Sequence, residues 1–108
     1  MKNSCMWCLL EGGDIIGASA VKTIAPGVAE LKRLYVLPER QGRGHGRLLF
    51  ETALRYAMER GFDKIRLDTR ADRSASRHLI ESRGFTPIPP YNDNAFAELF
   101  YELDLKVK

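Results

Sequence analysis

The chain has 108 residues, 44% of them hydrophobic and 29% charged, with a formal net charge of +3. That length supports a single domain (1-108) with a modest core, and the composition is globular rather than disordered. The mild positive charge fits an anionic ligand but falls short of a nucleic-acid binder, and no apolar run approaches the roughly 20 residues of a membrane span.

The N-terminus, MKNSCMWCLLEGG, has one lysine and no long apolar region, so it does not read as a signal peptide and a cytoplasmic protein is expected. Residues 5–24 read as two strands joined by a turn at Glu11-Gly12-Gly13-Asp14. On a strand, Cys5 and Cys8 point to opposite faces and lie about 10 Å apart along it, too far for a disulfide. His45 and His78 fall in unrelated segments, so no metal site is expected.

VAELKRLYV, residues 28–36, reads as a third strand closed by Pro38. Strict alternation puts Val28, Glu30, Lys32, Leu34 and Val36 on one face, and Ala29, Leu31, Arg33 and Tyr35 on the other. From about residue 43 to 60, Leu48, Leu49, Ala53, Tyr56 and Ala57 recur at helical spacing, and Gly61 is a natural stop. KIRLDTR, residues 64–70, alternates as a strand. A second helix is expected from Ser74 to a glycine cap at Gly84, then a proline-rich loop, PIPPYNDN, over residues 87–94. The last strand, AELFYELDL, puts Leu99, Tyr101, Leu103 and Leu105 on one face. The fold class is mixed α/β, in the order β-β-β-α-β-α-loop-β, with a central β-α-β unit.

Between the third strand and the first helix lies RQGRGHG, with Gly42, Gly44 and Gly46 interleaved among Arg40, Arg43 and Arg47. A helix N-terminus offers unpaired N–H groups and a positive dipole end, and glycines let the backbone approach a ligand closely. This is an anion site suited to a phosphate or pyrophosphate, with arginines to add contacts. Gly46-Arg47-Leu48 is not a P-loop ending, and the G-x-G-x-G spacing is not the dinucleotide fingerprint.

Gln41-Gly42-Arg43-Gly44-His45-Gly46 resembles the Q/R-x-x-G-x-G/A signature of the GNAT family of N-acetyltransferases, in the same position after an LYV-type strand. ESRGF, residues 81–85, is similar to the end of that family's second helix. The resemblance runs from about residue 7 to 105. It implies a GNAT-like, largely antiparallel sheet that begins near the family's second strand, without the first strand and helix pair.

The resemblance also implies acetyl-CoA as co-substrate, no metal, and direct attack by a small-molecule or peptide amine. Backbone amides over Gln41, Gly42, Arg43, Gly44, His45, Gly46 and Arg47 would hold the pyrophosphate. Leu34, Tyr35 and Val36 would pair with the pantetheine arm. Glu30 aligns with the general base of the histone-acetylating branch. The tyrosine that often serves as acid is replaced by Ile80, and an asparagine seven residues earlier by Arg73. Tyr91 and Tyr101 are the candidate substitutes. A homodimer is expected, to cover the surface that the shortened N-terminus would leave bare. The alternative function is a CoA-binding module without turnover. Nucleic-acid binding through Arg33, Arg40, Arg43, Arg47 and Arg55 is disfavoured, because no stacking platform accompanies them.

Overall fold

The computed structural model describes residues 4–106, with Arg33 described by its backbone only. Strands β1 (Cys5–Glu11), β2 (Asp14–Ala25) and β3 (Val28–Val36) form an antiparallel meander. A short 3₁₀ turn, Pro38–Arg40, leads into α1 (His45–Glu59), which crosses to β4 (Lys64–Thr69), parallel to β3. Then follow α2 (Ser74–Ser82), a two-residue strand β5 (Thr86–Pro87), and β6 (Leu99–Asp104). The sheet order is β1-β2-β3-β4-β6-β5. The mixed, mostly antiparallel sheet with a β-α-β centre is the expected architecture. Strand β5 was not expected; Thr86 and Pro87 pair with Glu102 and Tyr101 at the sheet edge, where a proline's missing donor is harmless.

Both helices pack on one face of the sheet. Leu49, Phe50, Ala53, Leu54 and Ala57 form the apolar stripe of α1, and they meet Val21, Ala29, Leu31, Ile65, Leu67 and Tyr101 of the strands. The helices end alike, on Arg60-Gly61-Phe62 and Arg83-Gly84-Phe85. In each, the phenylalanine N–H reaches back to a carbonyl five residues earlier, Ala57 at 3.1 Å and Ile80 at 3.3 Å, while the glycine N–H bonds the next carbonyl. This double closure satisfies the last carbonyls and drives Phe62 and Phe85 into the core. Phe50 then meets Phe85 at 5.8 Å between ring centres, and Glu51 pairs with Arg83 at 3.0 Å, fixing α2 against α1.

The register of β2 with β3 overturns one expectation. Ala20 faces Lys32 and Ala18 faces Tyr35, so β3 carries an extra residue between Lys32 and Tyr35. Such a bulge reverses the alternation that follows it. Val36 therefore lies with Leu31 on the helix face, where its Cγ2 comes near Gly17 and Gly46. Leu34 also packs against the helix-side core. Glu30 and Lys32 share the opposite face with Tyr35 instead. The bulge also ends the β3–β4 pairing, whose last partners are Glu30 and Arg66.

Candidate active site

Beyond that last pair, β3 and the N-termini of both helices enclose a cleft of about 500 Å³. Its lining runs from Leu34, Tyr35 and Val36 past Gly44 and Arg47 to Ser74 and His78. Gly42 and Gly44 have φ of 82° and 84°, which L side chains rarely adopt, so the turn at this place depends on glycine. Gly44 is the N-cap of α1, and no side chain caps the helix. Its carbonyl accepts the Leu48 N–H at 3.1 Å, which leaves the amides of His45, Gly46 and Arg47 without helical acceptors. The first turn holds no acidic residue to compete with a ligand anion. A Cβ added at Gly42 or Gly44 would meet nothing within 4 Å, so the space before the turn is open.

The α2 N-terminus, with Arg73 as an N-cap that makes no side-chain cap bond, opens onto the same cleft. Two helix dipoles thus place their positive ends on one cavity. Gln41 acts as a bracket, its Nε2 donating to the Val36 carbonyl at 2.9 Å and tying the turn to the strand. Arg40 is committed to Glu11, 2.6 Å from its Nε. Arg43 and Arg47 are exposed beside the turn and form no ion pair among the described residues.

On the sheet face away from the helices, a polar cluster surrounds Glu30, which is only 3% exposed. The Tyr91 hydroxyl donates to Glu30 Oε2 at 2.8 Å, and Asn92 Nδ2 donates to the same oxygen at 3.2 Å. Asn92 Nδ2 also donates to Asp68 Oδ2 at 2.7 Å, and Asn94 Nδ2 to Asp68 Oδ1 at 3.2 Å. Lys32 Nζ lies 3.5 Å from Glu30 Oε2 and 3.6 Å from Asp68 Oδ2, while Lys22 Nζ is 3.8 Å from Glu30 Oε1. The residue 91–94 loop is therefore strapped to both carboxylates.

The Tyr91 ring sits edge-on to Phe100 and against the Arg66 guanidinium, 5.5 Å from it. Burial, the hydrogen bond to Glu30 and the nearby carboxylate charges push its hydroxyl well above the ordinary tyrosine range, with Arg66 opposing weakly. Tyr91 is thus a neutral donor that orients Glu30.

Tyr101, the other expected tyrosine, belongs elsewhere. It lies on the helix face and donates to Glu81 Oε2 at 2.7 Å, a bond that with burial raises its own pKa. The sheet lies between it and Glu30, and its hydroxyl is committed to Glu81. Ile80 is buried in the core beneath α2. Cys5 and Cys8 are both free thiols, and no cluster of metal-ligating side chains occurs among the described residues.

The family resemblance brought Glu30 forward from sequence, although strict parity put it on the face of Leu34 and Val36, and the loop brought Tyr91. Asp68, Asn92 and Asn94 were missed. The asparagines of YNDN were the available signal, but nothing local said which strand the loop would cross.

The sequence matches the acetyltransferase (GNAT) family profile over residues 1–85. The chain belongs to the GNAT acetyltransferase family. It is 35% identical over 92 residues to an uncharacterized N-acetyltransferase of Schizosaccharomyces pombe, covering 84% of this chain and 56% of that protein. It is also 33% identical over 87 residues to the mycothiol acetyltransferase of Beutenbergia cavernae, covering 79% of this chain and 29% of that protein. The chain thus spans little more than half of the one and under a third of the other. Among solved structures, a GNAT acetyltransferase of Staphylococcus aureus Mu50 superposes with a TM-score of 0.87 at 19% identity, covering 95% of this chain and 69% of that one. The GNAT fold is common to them. No helix among the described residues is long and apolar enough to cross a membrane.

Proposed function

We propose that this GNAT domain transfers an acetyl group from acetyl-CoA to an amine, binding the donor in the cleft and deprotonating the acceptor with Glu30. The observation that carries this is the arrangement around β3, which has an uncapped glycine helix start at its end and a buried, oriented carboxylate on its far face. Two structural neighbours support the choice of donor: a Salmonella typhimurium acetyltransferase described with its cofactor acetyl-CoA, and a Thermoplasma acidophilum N-acetyltransferase in complex with coenzyme A.

In this reading the amides of His45, Gly46 and Arg47 hold the pyrophosphate, and Arg43 and Arg47 add charge. The edge of β3 released by the bulge offers main-chain groups at Leu34 and Tyr35 to the pantetheine arm. The Val36 carbonyl is already taken by Gln41. An amide at the bulge polarises the thioester carbonyl as an oxyanion donor. Glu30, oriented through Oε2 by Tyr91 and Asn92 and only loosely paired with Lys22 at Oε1, takes the acceptor's proton. A thiolate is a tolerable leaving group near neutral pH, so no tyrosine acid is required at position 80.

Calorimetric titration with acetyl-CoA, followed by an amine screen read by thiol release, tests the reading. Binding that is lost in Gly44→Glu, with thiol release on adding an amine, supports it. Undetectable binding overturns it. Ile80, in place of an acid, favours a second reading, a CoA-binding module; binding with no thiol release from any amine would establish that instead. The exposed Met6, Leu10 and Ile15 at the β1–β2 hairpin suit the homodimer we further propose, and light scattering at micromolar concentration checks it.

A further inference from the structure

We infer that Lys32 is itself an acetyl acceptor, a self-modification site built beside the proposed base. This rests on the acetyl-CoA reading above. Lys32 is the residue immediately before the β3 bulge, on the face shared with Glu30 and Tyr35. Its amine therefore stands next to the point where the thioester is expected along β3. The other lysines of this face are worse placed. Lys22 sits opposite Glu30, further back from the bulge, and Lys64 is paired with Glu102 at the far end of β4.

The contacts leave Lys32 free to react. Its two ion pairs, at 3.5 and 3.6 Å, are longer than the about 2.7–3.2 Å of a nitrogen–oxygen hydrogen bond, so the ammonium is drawn to the carboxylates without being locked. Its side chain is 31% exposed, enough for an acyl group to reach it. Nor do the hydrogen bonds of the cluster run through its ammonium. With Lys32 neutralised, Glu30 Oε2 keeps Tyr91 and Asn92, and Asp68 keeps Asn92 and Asn94.

The step balances without further reagents. Glu30 takes one proton from the Lys32 ammonium. The freed Nζ lone pair forms a bond to the thioester carbonyl carbon, and the carbon–sulfur bond breaks with its electron pair leaving on sulfur. The second nitrogen proton goes to the thiolate, and Glu30 passes its proton to water. The products are acetyl-lysine, free CoA thiol and one proton. The acetylated side chain would then stand where an acceptor amine has to enter, so the domain slows itself when acetyl-CoA is plentiful and acceptor scarce.

The test incubates the full chain with acetyl-CoA and no added amine, and maps acetyl-lysine by peptide mass spectrometry. Lys32 should be labelled ahead of Lys22 and Lys64. Labelling should slow by roughly 10²–10⁴ in Glu30→Gln, the usual worth of a general base. It should vanish from this site in Lys32→Arg and drop to background in Gly44→Glu, which blocks the cleft. Equal labelling of all exposed lysines, or labelling of Lys32 that ignores Gly44→Glu, would mean solution chemistry and overturn the inference. Acetyl-CoA binding by calorimetry with Lys32 unlabelled overturns the inference alone, whereas absence of binding sinks the donor reading with it.

Discussion

The Tyr91 hydroxyl bonds Glu30 Oε2 at 2.8 Å across 61 positions of sequence, and this bond ties the loop before β6 to the first half of β3. A buried carboxylate costs free energy unless its oxygens are satisfied, so the bond serves the fold as well as the site. Tyr91→Phe deletes it while leaving the ring against Phe100 and Arg66. Stability should fall by about 1–2 kcal/mol, measured by urea denaturation with an unchanged slope. An unchanged midpoint would show that water replaces the hydroxyl at no cost.

The same bond sets a response to alkali. The Tyr91 pKa is raised on folding, chiefly by burial and then by donation to Glu30. A raised folded pKa means the folded state holds its proton where the unfolded chain has lost it. The stabilisation is therefore complete below the unfolded tyrosine value, about 10, and declines as pH climbs above it. Tyr101 is raised in the same direction and adds to the effect. Thermal melts from about pH 8 to pH 11 should show wild type losing stability faster than Tyr91→Phe over the upper part of that range. Parallel curves would remove Tyr91 as a cause.

Gly44 separates backbone strain from ligand exclusion. At φ 84°, with open space where a Cβ would go, Gly44→Ala meets no steric clash in the fold and bears only the cost of a left-handed residue, about 1–2 kcal/mol. The variant should fold with a lowered melting temperature and weakened acetyl-CoA binding. Gly44→Glu should fold comparably yet lose binding, because its carboxylate enters the space that faces the unpaired amides. If the two variants bind alike, the anion site lies elsewhere.

These features were unequally legible in the sequence. Helix periodicity and the glycine stops at Gly61 and Gly84 located α1 and α2, because those signals are local. The glycine turn was legible for the same reason. Alternation along β3 failed beyond Lys32, because the bulge is fixed by how β2 and β3 register against each other, and strict period-two counting has no knowledge of that. Tyr101 was drawn correctly onto the apolar face of its strand, but its pairing with Glu81 depends on where α2 docks. The strap over Glu30 was the least legible part. Asp68, Asn92 and Asn94 reach it from a strand and a loop that only the sheet order brings together.

Glu30→Gln tests the proposed chemistry most directly. The substitution is nearly isosteric, and its carbonyl oxygen still accepts from Tyr91 and Asn92, while Lys32 keeps Asp68. The fold should therefore hold. Acetyl-CoA affinity should stay within about twofold, because Glu30 faces away from the helix-side turn proposed to hold the phosphates. Turnover with an amine acceptor should drop by roughly 10²–10⁴, since the amide cannot take the ammonium proton. The deficit should shrink as pH rises, because solvent then supplies the neutral amine unaided. Steady-state kinetics across pH, with kcat and KM for acetyl-CoA read separately, resolve these effects. Near-normal kcat at neutral pH would make Glu30 an ion-paired anchor of the polar face and leave deprotonation of the acceptor to water.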